Sequence, residues 1–235
     1  MESNKVILIT GSRKGIGRGL AEYYLEKKYF VVGCSRLASD LSHSNYLHFT
    51  LDISDELAVK KMMISVKDKF GKLDILINNA GIASMNHVLL TPLSTVIKLF
   101  ETNFLGTFLC SREAVKLMQK KKFGRIVNLT SIAVPLQLEG EAIYASSKSA
   151  VEQLTKNMAK ELGVFGITMN AIGPTPIETD LIKAVPKNKI EDLLDKQTIK
   201  RYGNLNDIIN IVEFFISPNS SFITGQILYL GGIVK

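Results

Sequence analysis

The feature that most constrains the fold is an uninterrupted apolar run, Val6-Ile-Leu-Ile9, which ends in Thr10 and passes at once into the glycine-rich segment Gly11–Gly17. A half-exposed strand alternates apolar and polar residues, whereas one that is apolar at every position expects cover on both faces. The rest of the chain repeats the theme. A helical pattern runs from Ile16 to about Lys28, Phe30 to Cys34 reads as a second strand, and Tyr46 to Leu51 as a third. The segment between those two strands is too short and too rich in Ser, His and Asn for a full helix. A helix over Asp55 to about Phe70, capped by Ser54 and ended by Gly71, leads to a fourth strand at Leu73 to Ile77. A long helical region from about Leu93 to Lys121, strands at Gly124–Leu129 and Gly166–Asn170, and a helix over Ile143–Leu162 follow. Asn206 is read as the cap of a helix to Phe215, and Gln226–Leu230 as the last strand. Six or seven strands joined by helical crossovers predict an α/β, doubly wound, mostly parallel sheet with a shortened connection between strands two and three.

The 235 residues suit one domain spanning 1–235, and no linker or repeat divides them. Gly173 to Arg201 carries Pro174, Pro176 and Pro186 and is expected to form a substrate lid within that domain, the alternative being an ordinary surface excursion. Lys and Arg outnumber Asp and Glu by 29 to 22, a balance of +7 that favours anionic ligands without choosing among them. Nucleic acid is not expected as a partner, because the basic residues are scattered and no recognition motif accompanies them. Cys34 and Cys110 stand 76 residues apart without a close Cys or His companion, so neither a disulfide framework nor a metal site is expected. A reducing cytoplasm fits, and no apolar run reaches membrane-spanning length.

Thr10-Gly-Ser-Arg-Lys-Gly-Ile-Gly17 lies between a strand and a helix, where glycines let backbone amides approach a pyrophosphate at the helix N-terminus. It lacks the Gly-Lys-Ser/Thr ending of a nucleotide triphosphatase loop, which argues against ATP hydrolysis. The pattern Thr-Gly-x-x-x-Gly-x-Gly resembles the short-chain dehydrogenase/reductase family, in its short single-domain branch that includes bacterial 3-oxoacyl-carrier-protein reductases. The resemblance implies a Rossmann-type sheet and extends to Asn78-Asn79-Ala80-Gly81 after strand four and to Asp52 and Ile53 after strand three. It implies cofactor contacts from Gly11, Ser12, Arg13, Gly15, Ile16, Gly17, Asp52, Ile53, Asn79, Ala80, Gly81, Pro174, Ile177 and Thr179. At the end of strand two the chain has Cys34-Ser35-Arg36 where an acidic residue would select NAD. Ser35 with an Arg13–Arg36 clamp on a 2′-phosphate favours NADP(H) over NAD(H). Asp40 is read as a solvated loop charge.

Tyr144 and Lys148 are four residues apart and share a helix face, as do Tyr23 with Lys27 and Tyr24 with Lys28. The latter pairs lie in the first helix without a serine at a strand end, and read as surface or packing residues. Tyr144 differs in having Ser131 upstream, at the end of strand five. With Asn103 these residues complete the Asn-Ser-Tyr-Lys set for which the family is known. Carbonyl reduction needs a proton donor and hydrogen bonds to the oxygen on which charge grows. Tyr144 fits as proton donor, Ser131 as oxygen anchor and Lys148 as a cation that lowers the tyrosine pKa and grips the nicotinamide ribose. The resemblance gives Asn103 a supporting place in a proton path. Thr175 replaces a glycine usual in the family, so a strained or rearranged turn is expected there.

The expected activity is NADPH-dependent reduction of a ketone to a secondary alcohol, most nearly that of a 3-oxoacyl-carrier-protein reductase. Lys120-Lys121-Lys122 and Arg125 offer charge for carrier docking, or simply face water. The alternative enzyme is a tailoring reductase or dehydrogenase for a sugar-derived or secondary-metabolite substrate. Glu139 and Glu141 stand at the expected entrance, either repelling acidic substrates or facing water. A different class is a catalytically inactive cofactor sensor, against which the intact Asn103, Ser131, Tyr144 and Lys148 weigh. The resemblance further implies a homotetramer, through the regions Thr95–Lys120, Ile143–Leu162 and Gln226–Leu230.

Overall fold

The computed structural model describes residues 5–177 and 187–233. Seven strands form one entirely parallel sheet in the order β3-β2-β1-β4-β5-β6-β7. They are β1 (Val6–Thr10), β2 (Phe30–Ser35), β3 (Tyr46–Thr50), β4 (Ile75–Asn78), β5 (Gly124–Leu129), β6 (Ile167–Gly173) and β7 (Ile227–Tyr229). Successive side chains of a strand point to opposite faces, and the apolar run of β1 therefore feeds two cores. Val6 and Leu8 join Met62, Val66, Leu109 and Met118 on one face, while Ile7 and Ile9 join Leu20, Tyr24, Ile208 and Val212 on the other. That double burial is why Val6–Ile9 is apolar throughout, and the one polar residue of β1, Thr10, comes at its carboxyl end. The chain leaves β1 in one direction to β2 and β3 and returns on its other side to β4, so a crevice opens at the carboxyl ends of β1 and β4.

Helices α1 (Gly15–Glu26) and α8 (Leu205–Ile216) cover one face, and α2 (Glu56–Phe70), α4 (Gly106–Met118) and α6 (Ala142–Leu162) the other. Two caps differ from the sequence reading. Asp55 caps α2, accepting from the Leu57 and Ala58 amides, because Ser54 turns back onto Asp52. Asn204, not Asn206, caps α8 in a reciprocal capping box with Asp207. Residues 36–45, between β2 and β3, contain no helix. Asp40 in that stretch is 88% exposed yet pairs with Arg18 at 2.5 Å, so it is an ion-paired rather than a purely solvated charge. Tyr24 is buried and Tyr23 lies under Lys27 Nζ, 5.5 Å from the ring centroid, so both side chains are engaged in packing.

The long helical region before β5 is broken into α3 (Leu93–Phe100), a π-helical turn (Glu101–Leu105) and α4. After β6 the chain continues through buried Thr175 and Ile177; α5 (Ala133–Leu136) and α7 (Lys187–Asp195) complete the set. Thr175 does not take a positive φ. Its side chain instead occupies space left by glycines, since a Cβ on Gly203 would lie 2.7 Å from Thr175 Oγ1 and one on Gly231 2.7 Å from its Cγ2. The expected strain is absent because two partners supply the room. Among the described residues no helix is long and apolar enough to cross a membrane.

Candidate active site

A cavity of ≈ 540 Å³ occupies the crevice at the carboxyl edge of the sheet. Its walls include Gly11, Arg13, Gly15, Ile16, Ser35, Arg36, Asp52, Ile53, Asn79, Ala80, Gly81, Ser131, Tyr144, Lys148, Pro174 and Ile177. Of the other residues singled out from sequence, Ser12, Gly17 and Asn103 are buried beside this space, and Thr179 lies outside the described residues.

One end of the cavity has the features of a phosphate cradle. Helix α1 begins without a side-chain cap and without an acidic residue in its first turn, leaving amides at its N-terminus for an anion. Gly11 has φ +69°, and a Cβ on it would meet Ala80 Cα at 2.9 Å. A Cβ on Gly17 would strike both Asn79 Nδ2 and Gly11 O at 2.4 Å, so both positions require glycine for close approach. Asn79 fastens this turn to β4 by donating from Nδ2 to Thr10 O at 2.9 Å, while Thr10 Oγ1 accepts from the Asn79 and Ala80 amides. Arg13 and Arg36 both face the cavity, and neither forms an ion pair among the described residues. Two guanidinium groups facing the cavity beside a helix start without a side-chain cap suit a phosphorylated dinucleotide. Such a cofactor would lie along Gly11, Gly15, Ile16, Arg13 and Arg36.

Ser12 and Ser35 have other commitments that the sequence did not reveal. Ser12 Oγ and the Tyr46 hydroxyl share a hydrogen bond of 3.0 Å, Tyr46 meets His48 Nδ1 at 3.0 Å, and His48 Nε2 meets Ser35 Oγ at 3.0 Å. This chain of four side chains runs beneath the glycine-rich turn. A Cβ on Gly33 would lie 2.2 Å from both Ser12 Oγ and Tyr46 Oη, so Gly33 makes room for it.

At the other end, Tyr144 and Lys148 project from α6, and Ser131 follows β5. Tyr144 and Ser131 both line the cavity, close enough for the serine hydroxyl to act on the phenol, and Ser131 Oγ accepts from the Ala133 amide at 3.1 Å. Lys148 Nζ donates to Leu129 O at 2.8 Å. Burial pushes Lys148 down to about 8 and Tyr144 up to about 12; the Ser131 hydroxyl opposes the latter shift and the Glu141 charge adds to it. The sequence reading expected Lys148 to lower the tyrosine pKa. Here removal of the phenol from water dominates instead, and Tyr144 is a protonated phenol at neutral pH.

Asn103 sits in the π-helical turn and is fully buried. Its Oδ1 accepts from the Ile82 amide at 2.9 Å, and its Nδ2 donates to Ile82 O at 3.0 Å and Ser147 Oγ at 2.9 Å. Ser147 in turn donates to Tyr144 O at 2.7 Å. Gly81 lies against this arrangement, since a Cβ there would be 3.2 Å from Lys148 Nζ and 3.3 Å from Asn103 Oδ1. Ser147 and Ile82 were not legible as site residues, because one works from the buried side of α6 and the other through its backbone alone.

The sequence pattern of the family described as Enoyl-(Acyl carrier protein) reductase matches residues 11–232. A relative from Vibrio cholerae serotype O1, named 3-oxoacyl-[acyl-carrier-protein] reductase FabG, is 32% identical over 234 residues, 97% of this chain and 96% of the relative. The chain belongs to the short-chain dehydrogenase/reductase family. Membership makes it an NAD(P)-dependent oxidoreductase. Among solved members of this family, the structure titled "ElxO with NADP Bound" superposes with a TM-score of 0.90 at 33% identity, covering 98% of each chain. A second, titled "4-hydroxyisoleucine dehydrogenase complexed with NADH", gives 0.87 at 30% identity and covers 97% of each.

Two sequence readings about charge also change. Arg125 is 2% exposed, stacks at 4.5 Å over Phe123 and donates to Gly124 O and Gly166 O, so it is not available to dock a carrier. The two entrance acids separate. Glu139 is 94% exposed and lies 3.9 Å from Lys189, whereas Glu141 lines the cavity.

Proposed function

We propose that the chain is an NADP(H)-dependent reductase that converts a ketone into a secondary alcohol, and that it works in the cytoplasm as a homotetramer. The observation that carries the reaction is that Ser131 and Tyr144 line one cavity, with Lys148 on the same face of α6 as the tyrosine. Ser131 and Tyr144 present two hydroxyls to a substrate oxygen. A bound nicotinamide supplies hydride to the carbon of that carbonyl. Tyr144, protonated at neutral pH, donates its proton as charge develops on the oxygen, and Ser131 stabilises the same charge. Lys148, poised near 8, carries the positive charge that accommodates the momentary phenolate. Asn103, through Ser147 and Ile82, holds the start of α6 and the Gly81 turn in register.

Preference for NADP(H) is supported by Arg13 and Arg36 on the cavity wall, which form no ion pair among the described residues, by Ser35-Arg36 where an acidic residue would end β2, and by the NADP bound in the ElxO structure. Two substrate classes suit the reaction. The relatives' names favour 3-oxoacyl thioesters. Glu141 in the cavity wall favours a polar ketone of the sugar-derived or tailoring kind.

The test is a screen of the purified protein with NADPH and NADH against 3-oxoacyl thioesters, enoyl thioesters, simple ketones and hydroxyketones. Ketone turnover with NADPH, lowered about 100-fold or more in Tyr144→Phe while NADPH still binds, is expected. No ketone turnover, despite tight cofactor binding, would replace the enzyme reading with a cofactor sensor. Strong NADH preference would remove the phosphate role of Arg13 and Arg36.

A further inference from the structure

Glu141 is a carboxylate in an unusual situation. It is the N-cap residue of α6 and its side chain makes no capping hydrogen bond, so the carboxylate is not committed to the helix amides. Among the described residues it forms no ion pair and no side-chain hydrogen bond, and only its backbone is engaged, the amide donating to Leu138 O at 3.2 Å and the carbonyl accepting from the Ala145 amide at 2.7 Å. The preceding residue turns it inward. Gly140 has φ +80°, with space for a Cβ limited by Met85 at 3.1 Å, and it separates exposed Glu139 from partly buried Glu141. Glu141 stands three residues, or nearly one helical turn, before Tyr144 and acts on its phenol electrostatically. Ile132, Ala133, Leu138, Ile190 and Leu193 contribute apolar side chains to the same cavity.

The polar groups at this end of the cavity divide into two sets. Ser131 and Tyr144 address the oxygen that reacts; Glu141 is left over for a different substrate atom. An ionised carboxylate only accepts hydrogen bonds, so it requires a donor. A plain acyl chain would cover it with methylene groups and strip its water without replacement, which is costly. A cationic amine would meet the Lys148 ammonium lining the same cavity. A neutral hydroxyl satisfies Glu141 without either penalty.

We propose that Glu141 is a substrate-recognition residue, its carboxylate accepting a hydrogen bond from a hydroxyl carried beside the reacting carbonyl, so that hydroxylated ketones are preferred to unsubstituted oxoacyl chains. The assignment rests on the ketone-reductase reading above and names the substrate class for the same site. It adds a third polar contact and thereby an orientation, since the hydroxyl and the carbonyl oxygen must fall on separate groups.

The experiment compares 3-hydroxy-2-butanone with 2-butanone, and both with an acetoacetyl thioester, using NADPH and the wild-type, Glu141→Gln and Glu141→Leu proteins. In the wild type the hydroxyketone is expected to exceed its unhydroxylated partner in kcat/KM by about 10- to 100-fold. Glu141→Gln, which keeps an acceptor oxygen, retains most of that ratio. Glu141→Leu brings it close to one by losing the hydroxyketone while keeping or gaining the others. Equal use of the two ketones by the wild type, or a ratio unchanged in Glu141→Leu, would overturn the assignment and leave ketone reduction standing. Absence of turnover with every ketone would overturn the reductase reading instead. In that event, calorimetric binding of 3-hydroxy-2-butanone to the NADP-loaded proteins decides the contact: weaker binding by Glu141→Leu supports it, and equal binding refutes it.

Discussion

Lys148 shows how one buried residue ties the chemistry of the site to the stability of the fold. Its ammonium is removed from water, with the Leu129 carbonyl as its hydrogen-bond acceptor, and burial lowers its pKa from 10.5 to about 8. In the unfolded chain the same group stays protonated up to its ordinary value. Between pH 8 and 10.5 the unfolded state therefore binds more protons than the folded one, and stability contributed by this residue rises with pH across that window. Below it the folded protein bears the full cost of the buried charge, about 3 kcal/mol at 1.36 kcal/mol per pKa unit. Urea denaturation of the wild type and Lys148→Met at pH 7.5 and pH 10 tests this. The wild type is expected to gain on the variant by roughly 2 to 3 kcal/mol on going to the higher pH. A difference that does not change with pH would mean that the ammonium is better solvated than its position implies. Tyr144 moves the opposite way for the same physical reason, since burial disfavours whichever form carries charge.

At the scale of elements, the π-helical turn between α3 and α4 is the feature on which the site depends and which the sequence showed least. Its extra residue per turn brings Asn103 to the buried side, where one side chain holds both the amide and the carbonyl of Ile82. Asn103→Ala leaves those two groups without partners, and a loss of about 1 to 3 kcal/mol in urea denaturation, together with reduced turnover, is expected. Asn204→Ala, which removes only the exposed cap of α8, is expected to cost about 1 kcal/mol with turnover retained. Equal effects of the two on turnover would deny Asn103 any special place. The strands were legible because burial on both faces writes itself as continuous apolar residues, as in Val6–Ile9. The helix starts were legible to within two residues only, because Asp55 and Asn204 each have a second capping residue close by. The Ser12–Tyr46–His48–Ser35 chain was not legible at all. It depends on the pairing of β2 with β3, and no local pattern reports which hydroxyl a tertiary contact will meet.

The whole molecule leaves surfaces that one chain does not cover. Leu89 and Leu90, just before α3, are 84% and 76% exposed, and Leu93 at its first position is 72% exposed. Phe222, between α8 and β7, is entirely exposed, and β7 is a three-residue strand at the open edge of the sheet. Contiguous apolar residues of this size are uncommon on a monomer, and an unpaired strand edge invites association. The two regions lie on different elements, one around α3 and one around β7, and two independent contacts are what a closed assembly of four subunits with more than one kind of interface requires. The exposed apolar residues around α3 begin at Val88, before the Thr95–Lys120 region expected to form a subunit contact. Light scattering at micromolar protein is expected to give four times the 26.0 kDa chain mass. Leu89→Glu with Leu93→Glu should reduce that to a dimer held by the β7 side, with secondary structure unchanged by circular dichroism. A wild type that runs as a monomer at that concentration would sink the tetramer. A double variant that remains tetrameric would show that the α3 leucines face something other than a second copy.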